Sequence, residues 1–232
     1  GAGFVAAEFN EQLPHRVIDR IFQTGDGQIW VGVRSGLAGL ATVASGEVYR
    51  FDGRRLMQIP GHETIGGDAV YCLFEDREAN VWAGTTTSLV RYTSGGFRYF
   101  GRAQGLPSDD VWGLLEDRHG HVWMATDTGL GRFDGDTLHT YTTADGLPPF
   151  PLRDLAEDDE GSLWIATTGG GVVRYDGERF EVLTTADGLA HNRVSRVLAS
   201  QEGGVWFSTD GGGLSRFQDG HFTTTNTLNG LP

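Results

Sequence analysis

His119 and His121 flank Gly120, and two imidazoles two residues apart on an extended chain share a face, which could begin a metal site. They stand in a strand-connecting turn, where solvation is the plainer reading, and no metal is expected. The acidic triplet Asp158-Asp159-Glu160 occupies a later turn without the spacing of a calcium loop. Gly169-Gly170-Gly171 and Gly211-Gly212-Gly213 suggest a phosphate cradle, yet strands follow them, not a helix whose N-terminus could meet an anion. Cys72, the only cysteine, has no sequence-level base, and no serine lies in a nucleophile-elbow motif. All 18 basic residues are Arg, which removes a phosphate-loop lysine and a Schiff-base lysine. No motif asks for a cofactor.

The 31 acidic residues give a net charge of −13, which repels polyanions, so nucleic acid and anionic membrane surfaces are poor partners. No apolar run approaches the roughly 18 residues of a membrane span, so this chain is not expected to cross one. It opens on Gly1-Ala2-Gly3-Phe4, with neither a start Met nor a leader, and is expected to be processed or cut from something longer.

The elements that position these groups come from a repeat. Trp stands at 30, 82, 123, 164 and 206, at intervals of 52, 41, 41 and 42 residues. Twelve positions before each Trp stand Ile18, Val70, Val111, Leu152 and Val194; five earlier still stand Leu13, Ile65, Leu106, Leu147 and Leu189. Each unit reads as four short strands: Val111 to Glu116, Val122 to Thr126, Leu130 to Phe133 and Leu138 to Tyr141 in the third copy, with Gly and Asp at every break. No stretch has a 3.6-residue apolar period, so helix should be scarce. Such units cannot bury both faces alone; stacking them radially gives an all-β propeller of four-stranded antiparallel blades. The expected blades are 18–69, 70–110, 111–151, 152–193 and 194–232. Residues 1–13 align with Phe222 to Leu231 as a spare outer strand that closes a five-bladed ring, the alternative being a slice of a larger array.

Thr143-Ala144-Asp145-Gly146-Leu147, Leu163-Trp164-Ile165-Ala166-Thr167, Gly170-Gly171 and Arg174-Tyr175-Asp176-Gly177 together resemble the two-component regulator propeller repeat. The phrase recurs at Thr185 to Leu189 and in shortened form at Gln104-Gly105-Leu106 and Asn229-Gly230-Leu231. The resemblance implies an extracytoplasmic, periplasmic sensing region of a signalling protein, often responding to glycans, and it supplies no catalytic residue. Blade one departs from it by about ten extra residues between Arg34 and Val48, and Gly61 to Gly67 lacks the Asp-Gly-Leu phrase.

Columns forced by repetition are structural, whereas columns that differ between blades are free to hold a ligand. Two such columns lie side by side on the first strand: Asp19, Tyr71, Trp112, Arg153, Ser195, and then Arg20, Cys72, Gly113, Asp154, Arg196. At the mouth of a channel they would offer aromatic faces beside acids and guanidinium groups, a mixture suited to sugars, peptides or a partner loop. Tyr71 and Trp112 are the expected stacking platforms, with Asp19, Arg153 and Arg196 as polar anchors of a glycan or other small ligand. A second reading makes the chain an assembly subunit that binds a protein partner through the apolar insertion Gly36 to Glu47. A third is a propeller lyase resembling virginiamycin B lyase, with His15 and His191 on equivalent connectors.

Overall fold

The computed structural model describes residues 16–35, 46–51, 55–59 and 69–226. The chain divides into two compact units, Gly1–Tyr99 and Phe100–Pro232. The first sheet is β1 (Arg16–Gln23), β2 (Ile29–Ser35), β3 (Gly46–Phe51) and β4 (Leu56–Gln58). The second is β5 (Val70–Glu75), β6 (Val81–Thr85), β7 (Leu89–Thr93) and β8 (Gly96–Phe100), whose end marks the boundary between the units. Then come β9 (Val111–Glu116), β10 (Val122–Thr126), β11 (Leu130–Phe133) and β12 (Leu138–Tyr141). A fourth sheet holds β13 (Leu152–Glu157), β14 (Leu163–Thr167), β15 (Val172–Tyr175) and β16 (Phe180–Leu183). The last holds β17 (Val194–Ala199), β18 (Val205–Thr209), β19 (Gly213–Gln218) and β20 (His221–Thr225). Every sheet keeps sequence order with neighbouring strands paired, so the fold is an all-β propeller of five four-stranded blades. Helix is confined to short 3-10 turns, none long and apolar enough to cross a membrane among the described residues.

The core lies between successive sheets of a unit. In the first unit Trp30 and Val48 pack against Val70, Ala83 and Val90 of the next sheet. In the second unit Trp123 and Leu130 meet Leu155, Ile165 and Val173, and Trp164 meets Val197 and Phe207. Leu147 and Leu189, from the Asp-Gly-Leu phrases, are buried in those two clusters and plug the gap between blades. The phrase folds as a single 3-10 turn: Thr142 caps it, Asp145 accepts from the Thr142 N–H at 2.8 Å, and Gly146 turns the chain out with φ of +107°. Small residues allow the close approach of sheets, for a Cβ on Gly32 would come 2.7 Å from that of Val70.

The repeated Trp does more than fill space. Its indole N–H donates at 2.7 Å to an Asp six residues earlier, in Trp82 to Asp76, Trp123 to Asp117 and Trp164 to Asp158. The other oxygen of that carboxylate accepts backbone N–H groups of the turn, those of His119 and His121 in the case of Asp117. Across the next strand an Arg lies over the indole: Arg91 on Trp82, Arg132 on Trp123, Arg174 on Trp164 and Arg216 on Trp206, 5.3 to 5.7 Å from the ring. Four of the five repeated Trp are buried, but Trp206 is only half-buried. Phe217 of the following sheet covers Trp164 at 5.0 Å.

Candidate functional site

The first variable column has a backbone cause. In every β1-type strand the pairing with its neighbour skips one residue, and the skipped residues are Asp19, Tyr71, Trp112, Arg153 and Ser195. A bulged residue leaves the hydrogen-bond ladder and its side chain is re-aimed, so the position is released from the constraint that fixes its neighbours.

In the first unit the bulge residue Asp19 pairs with Arg34 at 3.2 Å, and Arg20 donates to the Tyr71 carbonyl oxygen at 2.6 Å. The second oxygen of Asp19 is buried and accepts no hydrogen bond among the described residues. Asp19 and Tyr71 belong to this unit; Trp112, Arg153 and Arg196 belong to the other.

In the second unit the Trp112 indole N–H donates to Asp127 at 2.7 Å, and the Arg153 guanidinium lies 3.6 Å from the ring centroid. One face of the expected platform is therefore covered by the expected anchor, a stacked pair that adjacent bulges bring together. The Arg153 Nη1 is buried with no acceptor among the described residues. Beside it Asp154 accepts from the Val197 N–H at 3.0 Å, and its burial pushes the carboxyl pKa up. Asp110 is also raised, first by burial and then by Asp127 and Asp109. Arg196 is exposed and reaches the Ser195 carbonyl oxygen at 3.1 Å. The pair Arg193 and Asp210, 3.2 Å apart, stands on the same end of the last sheet.

The other chemical candidates resolve into scaffold. His121 contacts the Asp117 carboxylate at 2.9 Å, and its ring lies 6.1 Å from that of His119. Asp158 holds the Trp164 indole and its own turn. No cluster of three or more metal-ligating side chains exists among the described residues. Gly171 has φ of +84°, and a Cβ there would meet the Leu183 carbonyl oxygen at 2.2 Å, so the triplet serves a tight turn. Thr126, Thr167 and Thr209 close the equivalent turns by donating to Gly129, Gly171 and Gly213. His191 accepts from the Arg193 N–H at 3.0 Å. His15, the spare strand Phe4 to Leu13, Ile65, Asn229 to Leu231 and residues 36–45 of the insertion lie outside the described residues.

No curated protein matches the chain. Among solved structures it is similar to the extracellular domain of a hybrid two component system from B. thetaiotaomicron, 25% identical with a TM-score of 0.74. That match covers 95% of this chain and 30% of the other, so this chain spans less than a third of that one's length. A second such extracellular domain from B. thetaiotaomicron matches at 17% identity and a TM-score of 0.60, over 87% of this chain and 38% of that one. Virginiamycin B lyase from Staphylococcus aureus matches at 14% identity and 0.68, over 92% and 71% of the two chains, a likeness of fold alone. The family described as two component regulator propeller matches residues 105–128, the Gly-Leu phrase and first two strands of the third blade. Residues 105–128 thus match the two component regulator propeller repeat, and the blade they open is one of five alike in strand order.

Proposed function

We propose that the chain is a non-enzymatic recognition propeller, an extracytoplasmic ligand-sensing module of a signalling protein whose ligand is of glycan type. The observation that carries this reading is the bulge column. It is the one inner-strand position outside the ladder, it differs in all five blades, and in Asp19 and Arg153 it holds buried polar atoms that lack partners among the described residues. An orphaned buried polar atom costs free energy unless something else completes it. A sugar supplies directional hydroxyls for such atoms and an apolar face for Tyr71 or Trp112. Similarity to an extracellular domain of a two component system supports a sensing role.

Glycan-array screening of the parent chain beside Tyr71→Ala, Arg196→Ala and the turn variant His119→Ala tests it. Binding that survives His119→Ala and falls in Tyr71→Ala, on the bulge column, and in Arg196→Ala, on the column beside it, supports the reading. Loss in His119→Ala alone moves the site to the other end of the sheets and overturns it.

A further inference from the structure

At the opposite end of β1 and β2 from the Asp19 bulge, a groove of about 800 Å³ opens between the first two sheets. Trp30, Ile59, Tyr92 and Phe97 form its apolar wall, and Asp26 and Arg50 stand at its polar margin. The equivalent grooves of the second unit hold about 400 and 380 Å³. In the 400 Å³ groove a turn residue takes up space, and the equivalent turn residue of the 380 Å³ groove is Asp159. Arg118, in the turn of the third sheet, donates its backbone N–H and its Nε to Glu157 and reaches the Asp158 carbonyl oxygen, so its side chain fills that groove. In the first sheet the same backbone bond runs from Gly25 to Glu75 at 2.6 Å, but Gly25 has no side chain and the space stays open.

Tyr92 lies on the inner wall, 5.5 Å from the Trp30 ring and only 6% exposed. Its hydroxyl is buried and finds no partner among the described residues. In the second unit the corresponding Tyr175 donates to the Gly177 carbonyl oxygen at 2.8 Å, and the next copy, Phe217, has no hydroxyl at all. The Tyr92 hydroxyl is thus the exception in its column, buried without a partner among the described residues in the wall of the widest of the three grooves. Burial also pushes its pKa well up, so it stays a donor.

We infer that this groove is a second binding site, for a small molecule with a planar apolar ring and a carbonyl oxygen. The ring stacks on Trp30 and Phe97, and the oxygen accepts from the Tyr92 hydroxyl. The site is independent of the bulge column and stands or falls separately from it.

Acetanilide, a planar ring bearing one amide, is the probe, titrated while the Trp30 indole N–H is followed by NMR and assigned with Trp30→Phe. Saturable binding with movement of that signal is expected. Tyr92→Phe, which keeps the ring, should weaken it about fivefold by losing one hydrogen bond. Gly25→Arg should abolish it by refilling the groove; a Cβ at Gly25 meets only the Glu75 carboxylate, at 3.5 Å. Tyr175→Phe should leave it unchanged. Denaturation midpoints at or above the parent value for Tyr92→Phe confirm that the loss is local, and that variant decides the matter if Gly25→Arg misfolds. A Trp30 signal unmoved at millimolar probe, or equal affinity in Tyr92→Phe, overturns the assignment.

Discussion

Removing the Asp117 carboxylate strands the Trp123 indole N–H and two backbone N–H groups of its turn. Asp117→Ala should therefore cost about 1–3 kcal/mol in chemical denaturation, the range for leaving buried donors unsatisfied. The same carboxylate gives an acid dependence. Burial pushes its pKa up, but hydrogen bonds from Trp123, His121 and His119 outweigh this and hold it below the usual carboxylate value. A group held lower in the folded chain stabilises the fold above the unfolded pKa of about 3.9 and loses that contribution as pH falls below it. Melting temperatures taken from pH 5 down to pH 2 should fall less steeply in Asp117→Asn than in the parent. Trp164→Ala should cost about 3–5 kcal/mol as a large core truncation, and Trp206→Ala less, because that ring is already half-exposed. The burial of Trp30, Trp82, Trp123 and Trp164 was legible from their spacing. The Asp that accepts from Trp82, Trp123 and Trp164 and the Arg that lies over each of these rings were not, because both act across turns and strands that a linear reading does not join.

Strand limits followed from alternation and from Gly and Asp at the breaks, and β9 to β12 fall where the sequence put them. The bulge was not legible: variation marked the column of Asp19, Tyr71 and Trp112, but only the skipped pairing explains why variation is tolerated there. Turn glycines separate into two kinds. A Cβ at Gly171 would collide with the Leu183 carbonyl oxygen, whereas one at Gly177, where φ is +99°, would meet nothing within 4 Å. Gly177→Ala should cost about 1–2 kcal/mol from left-handed backbone strain alone. Gly171→Ala adds a steric collision and should cost clearly more, or prevent folding of β15 and β16, as equilibrium unfolding of both variants would show. Equal losses would mean that the β15–β16 edge gives way easily.

Across the whole molecule the sequence carried the architecture further than it carried the site. Five-fold repetition is visible because every blade meets the same packing demand at Trp, and among the described residues Leu106, Leu147 and Leu189 repeat the plugging role. A recognition site is by nature the place where blades differ, and difference alone does not say which atoms are unsatisfied or which faces are taken. Arg153 lying on Trp112 is such a case: spacing put both in one column but did not reveal that one would cover the other. The same holds for the groove at Gly25, where a side chain is missing at the position that Arg118 fills in the third sheet. The claim that the bulge column recognises a ligand is tested most directly by calorimetric titration of the best array glycan into the parent and into Trp112→Ala. Loss of the ring should weaken binding by about 1–3 kcal/mol, roughly five- to more than a hundredfold. Unchanged affinity in Trp112→Ala, with the fold intact, would contradict it.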